Sequence, residues 1–316
     1  MRHPTVNQSS IVFSFAGDLW SVKREGGSAV RLTTSPGSEM NPYFSPDGTM
    51  IAFTGQYSGD NNVYVMPAEG GEPSKLTYHP GTDIAVGWTN DSKSVVFMSS
   101  MGTTIDLPRL YSVTIGGGPP VALPLPTGTS ASYSPDGAKL AYSPGFKWQN
   151  AWKRYRGGQT SKIWIADLSD SKVKEVPRAN SNDTSPMWIG DKLYFLSDRN
   201  GPVTLYCHDT TSGKVTQCLS NTGFDMKSAV AGHGSIAIEQ FGEIKLYDLE
   251  SGSAKKIDIQ ISGEFPEARP QYKDAARLVL SPGLSPTGAR AVFAARGDVW
   301  TVPAAKGDAR NLTQSS

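Results

Sequence analysis

One phrase returns along this chain and constrains its fold more than any bulk property. Phe44-Ser-Pro-Asp-Gly48 is followed by Ile51-Ala-Phe53, Tyr133-Ser-Pro-Asp-Gly137 by Leu140-Ala-Tyr142, and Leu284-Ser-Pro-Thr-Gly288 by Ala291-Val-Phe293. Proline presets φ for the second position of a type I turn, Asp suits the third, and Gly accepts positive φ at the exit. Apolar residues alternate on both sides, so the phrase reads as the turn of a β-hairpin. A second phrase follows each hairpin: an aromatic strand such as Leu19-Trp-Ser-Val22 or Val63-Tyr-Val65, a Gly-rich turn, then Arg31-Leu-Thr33 or Lys75-Leu-Thr77. The aromatics Trp20, Tyr64, Tyr111, Trp164, Tyr206, Tyr247 and Trp300 mark seven units, 41 to 53 residues apart. Four antiparallel strands at such a period are the signature of propeller blades. A lone blade has two faces to bury and needs neighbours on both, so the units must stack into a ring. The expected fold is all-β, a β-propeller of four-stranded antiparallel blades.

So many hairpins need turn residues, and the chain has 33 Gly and 22 Pro in 316 residues with no collagen-like period. Thirty Lys and Arg against 29 Asp and Glu give a net charge of +1, which leaves no basic footprint for nucleic acid. No apolar run approaches the roughly twenty residues of a membrane span. The two cysteines, Cys207 and Cys218, fall on neighbouring strands of one expected hairpin. A cross-strand disulfide and two unlinked thiols are both open, and no Cys/His spacing suggests zinc.

The first six units occupy residues 1–262, a Pro- and Glu-containing linker follows over 263–276, and the seventh repeat runs over 277–316. The expectation is six blades plus one further repeat, with a closed seven-bladed ring as the alternative. No catalytic residue, metal ligand or cofactor is expected. The four histidines sit at repeat or turn positions, no GxSxG elbow is present, and Gly232-His-Gly-Ser235 stands where other units place Asp-Gly. Asp47 and Asp136 are accounted for by their turns, and Gly59-Asp-Asn-Asn62 lacks the acidic density of a calcium loop. The fourth unit carries an insertion between its second and third strands. There Lys147, Trp148, Trp152, Lys153, Arg154, Tyr155 and Arg156 combine the residue types enriched at binding hot spots. These seven are the candidate binding residues, for a peptide or a neighbouring domain; a structural flap is the competing reading.

Gly17-Asp-Leu-Trp-Ser-Val22, Glu69-Gly-Gly71, Trp152-Lys-Arg-Tyr-Arg-Gly-Gly158 with Ile163-Trp-Ile165, and Gly297-Asp-Val-Trp300 with Arg310-Asn-Leu-Thr313 are more discriminating than the shared turn phrase. With these motifs the chain resembles the N-terminal propeller region of tricorn-type serine peptidases. The resemblance implies a six-bladed propeller, with the seventh repeat opening a second one. It also implies a non-catalytic part in channelling peptides and docking the peptidase's other domains. The family's catalytic serine and histidine lie in later domains and match no position here, so this chain alone is expected to be inactive. The implied partners are peptides, the remaining domains of the same peptidase and further copies in a homo-oligomer; the implied compartment is extracytoplasmic, with the cytoplasm as alternative. Two other function classes compete. One is a stand-alone protein-binding propeller of the Tol-system type; the other is an enzyme whose site lies in the channel mouth, which would need converging His, Asp or Glu.

Overall fold

The computed structural model describes residues 1–103, 107–145, 153–265 and 274–313. Two compact units divide the chain, Met1–Gly263 and Glu264–Ser316. Among the described residues the regular structure is strand throughout, apart from the short 3-10 turn Ala276–Leu278. The protein is an all-β propeller of four-stranded antiparallel sheets.

The first unit holds six such sheets, each assembled in chain order. Their first strands are Arg2–Val6, Glu39–Phe44, Asp83–Trp88, Ser130–Tyr133, Asp183–Ile189 and Met226–Gly232. Each first strand packs on the next, and Arg2–Val6 touches both Glu39–Phe44 and Met226–Gly232, so the contacts run in a cycle. Strand alternation explains the core. In the second strand of sheet two, Ile51 and Phe53 join Val12 and Leu19 of sheet one, while Ala52 faces the other way onto Val95 and Phe97 of sheet three. Val96 then turns to Leu140 and Tyr142 of sheet four. Further round, Phe195 packs with Ala141, and Leu196 with Ile236 and Ile238. Every apolar cluster belongs to two sheets, so no sheet is stable without its neighbours.

The turn phrase does the local work its chemistry suggests. Ser45 Oγ donates to Asp47 at 2.5 Å, Asp47 accepts the Thr49 amide at 3.0 Å, and Gly48 stands at φ +75°. Ser134, Asp136 and Gly137 repeat this arrangement. These hydrogen bonds hold the Asp47 and Asp136 carboxyls below their ordinary range. Thr89-Asn-Asp-Ser92 forms the same turn in different letters, with Ser92 at φ +60° in place of glycine.

At the opposite end of the sheets, three buried carboxylates open their strands. Glu39, Asp83 and Asp183 lie opposite Gly55, Ser99 and Ser197 in the ladder. The threonine of the recurrent Leu-Thr pair serves this end. Thr33 Oγ1 accepts the Leu19 amide at 2.9 Å and donates to Glu39 at 3.0 Å. Thr77 Oγ1 accepts the Val63 amide at 3.0 Å in the next sheet.

The ring is tied where its ends meet. Arg24 Nη1 donates to the carbonyls of Asn7 at 2.8 Å and His233 at 3.1 Å, joining sheets one and six. Ile259–Gln260 pairs in parallel with Gly27–Ser28. The second unit is one four-stranded sheet, Val279–Leu284, Arg290–Ala295, Asp298–Pro303 and Arg310–Asn311, and Leu280 and Leu284 on its first strand are exposed.

Candidate functional site

The insertion enters between Lys139–Ser143 and Trp164–Asp167 of sheet four. Because antiparallel strands alternate direction, this is the end opposite the Ser-Pro-Asp-Gly turns. Lys147, Trp148 and Trp152 lie outside the described residues. The other four candidates lie within the described residues, Lys153, Arg154 and Arg156 exposed and Tyr155 half-buried. Arg156, exposed at the surface, is held by Asp198: Nη1 donates to Asp198 Oδ2 at 2.8 Å and Nη2 to the Asp198 carbonyl at 3.1 Å. Its own carbonyl and that of Tyr155 accept the side-chain amides of Asn180 and Asn182, at 3.0 and 2.9 Å. Lys153 reaches Asp225 at 3.6 Å with its side chain 59% exposed, and Arg154 stands exposed at φ +52°. Arg156 and Tyr155 therefore fasten the loop to sheet five, while the Lys153, Arg154 and Arg156 side chains still reach solvent.

Cys207 and Cys218 are free thiols. The ladder sets Cys207 opposite Thr216, so Cys218 is a diagonal neighbour and the cross-strand disulfide is not formed. The thiols interact: contact with Cys218 lowers the Cys207 pKa, while contact with Cys207 and burial raise that of Cys218.

An opening lies among the first strands of the ring. A cavity of about 690 Å³ is lined by the first strand of every sheet in the first unit, within the range of ligand pockets. Its ionisable lining residues are His3, His233, Asp47, Glu69, Tyr43 and Tyr133, and no Lys or Arg lines it among the described residues. Burial lowers the His3 pKa, so that imidazole is neutral at pH 7. Glu239 Oε2 accepts the His3 backbone amide at 3.0 Å and the Ser228 hydroxyl at 2.8 Å, while His3 Nδ1 has no partner. The carboxylate thus holds the histidine's main chain rather than its ring. Glu239 therefore does not orient the His3 imidazole, as the third member of a nucleophile–base–orienter set would. Among the described residues no three His, Cys, Asp or Glu gather to hold a metal ion.

One set of lumen residues carried no weight in the sequence reading. His3, Asn41-Pro42 and Ser185-Pro186 line the cavity, and His3, Asn41 and Ser185, each followed by a proline, are left-handed at φ +48°, +52° and +56°. Each pair is a bulge. The ladder jumps from Arg2↔Ser14 to Thr5↔Val12, from Met40↔Thr54 to Tyr43↔Ala52, and from Thr184↔Leu196 to Met187↔Tyr194. Two residues thereby oppose a single phenylalanine: Phe13, Phe53 or Phe195, all fully buried. Ser281-Pro282 repeats the step opposite Phe293 in the second unit. The visible signal was a proline two residues before the apolar or aromatic end of the strand, as in Asn41-Pro-Tyr-Phe44.

Comparison with known proteins supplies the context. Residues 1–253 match the family described as the tricorn protease N-terminal beta propeller domain. The chain is 30% identical over 319 residues to tricorn protease homolog 1 of Streptomyces coelicolor, covering 99% of this chain and 29% of that protein. It therefore spans under a third of the length of that relative. Among solved structures, the crystal structure of the tricorn protease superposes with a TM-score of 0.73 at 21% identity, over 99% of this chain and 31% of that one. TolB from Acinetobacter baumannii gives 0.53 at 19% identity, over 84% of this chain and 66% of its own. At such identities the two structures speak for the fold alone. The match over residues 1–253 shows more: the chain belongs to the family of tricorn protease N-terminal β-propeller domains.

Proposed function

We propose that this chain is the non-catalytic propeller region of a tricorn-like serine peptidase, passing peptides through the lumen of its first unit and docking further domains. The observation that carries the reading is the lumen itself. It is about 690 Å³ and lined by all six sheets of the first unit. On this reading the first unit is a six-bladed ring, the segment 263–276 is a linker, and the sheet Val279–Asn311 is the opening blade of a second propeller. That role gives a use for the exposed Leu280 and Leu284, which the next blade of such a ring would cover. We place the site of action outside the cytoplasm, to be checked by fractionation. The propeller fold shared with TolB supports a second reading, a stand-alone protein-binding ring. Casein or fluorogenic-peptide hydrolysis, measured on residues 1–316 and on the longest open reading frame containing them, separates the readings. Activity in the longer protein alone is the expected result. Activity that stays with residues 1–316 through repurification would sink the proposal, and silence from both would favour the binding ring.

A further inference from the structure

The three bulged X-Pro steps have a chemical consequence beyond their geometry. Proline has no N–H, so the bulges at Pro4, Pro42 and Pro186 each bring one main-chain donor fewer than an ordinary strand step. The side chains that precede them are also uncommitted. Asn41 and Ser185 make no hydrogen bond among the described residues, and His3 Nδ1 is buried without a partner. The neighbouring lumen hydroxyls are already engaged: Ser132 accepts the Trp188 amide at 2.8 Å, Ser130 donates to Ser143 at 3.0 Å, and Ser228 donates to Glu239 at 2.8 Å. A left-handed φ is disfavoured for a non-glycine residue, and such strain clusters at functional sites. Among the described residues no Lys or Arg lines the lumen.

From these observations we infer that the bulges at His3, Asn41 and Ser185 form a binding ring for the main-chain N–H groups of an extended, uncharged peptide. The inference rests on the peptide-passing reading and sharpens it. Recognition by main-chain donors is indifferent to side-chain sequence, and a wall with no Lys or Arg among its described residues gives acidic side chains no such counter-charge. Peptides rich in small neutral residues are the class that fits.

The test uses residues 1–316 and a capped, neutral Ala/Ser hexapeptide, with binding followed by NMR titration. A second peptide has alternate main-chain nitrogens methylated, which removes donors and keeps the composition. N-methylation should weaken binding about fivefold or more, as expected for the loss of one or two hydrogen bonds. The Asn41→Gly/Ser185→Gly double variant should also weaken binding of the parent peptide. Its melting temperature should hold or rise, because glycine accepts these φ values freely. Equal affinity for the two peptides, with the double variant binding as tightly as the parent protein, would overturn the inference and leave the peptide-passing reading standing. No binding of the parent peptide at millimolar concentration would remove both.

Discussion

Glu39, Asp83 and Asp183 share one position in three sheets and meet three different neighbours. Two residues beyond each ladder partner stand Tyr57, Met101 and Arg199. Burial raises all three carboxyls, and Glu39 reaches about 7. Asp183 is opposed by Arg199 at 2.9 Å and by the hydroxyls of Ser181 and Ser197 at 2.9 and 2.6 Å. Because the folded pKa of Glu39 exceeds its ordinary 4.5, the folded state holds the extra proton between those values. Its contribution is complete below pH 4.5 and is lost as pH rises through about 7. The shift corresponds to roughly 3 kcal/mol. Urea unfolding at pH 5 and pH 8 should show that difference narrowing in Glu39→Gln; an unchanged pH slope would show that Glu39 is not the group responsible. At Asp183 the cation is decisive. Arg199→Met leaves a buried carboxylate without its partner and should cost about 3–5 kcal/mol in urea unfolding at pH 7, whereas a loss under 1 kcal/mol would mean the hydroxyls suffice.

Elements differ in how far the sequence announces them. The Ser-Pro-Asp-Gly hairpins were readable because turn, cap and exit residue lie within five positions, and the structure forms them with contacts of that range. Thr89-Asn-Asp-Ser92 escaped because the shared chemistry is a hydroxyl, a carboxylate and a left-handed exit, not a spelling. The bulges were legible only as a recurrent proline, since their register depends on pairing with a strand several residues on. The buried carboxylates were invisible for the same reason. Arg156 shows the limit in the site itself: its residue type suggested a contact, but its partner Asp198 lies 42 residues away. Arg156→Ala should release the loop, so that trypsin cuts after Lys153 and Arg154 several-fold faster while the circular dichroism spectrum of the ring is kept. Unchanged cleavage would mean that the Asn180 and Asn182 bonds hold the loop unaided.

At the scale of the whole molecule, the seven repeats visible in the sequence divide unequally between two units. Six sheets bury one another in a cycle fastened by Arg24 and by the parallel pairing of Ile259–Gln260 with Gly27–Ser28. The seventh sheet keeps Leu280 and Leu284 exposed. The cavity of this ring takes its wall from the first strand of each of its six sheets. The most direct test is photo-crosslinking of a capped neutral peptide carrying a benzophenone group to residues 1–316, with the adducts mapped by mass spectrometry. Adducts on the first strands that line the cavity, around Asn41, Ser185 and Ser228, are the predicted result. Adducts confined to the outer strands or to the Lys153–Arg156 loop would contradict a peptide path through the ring.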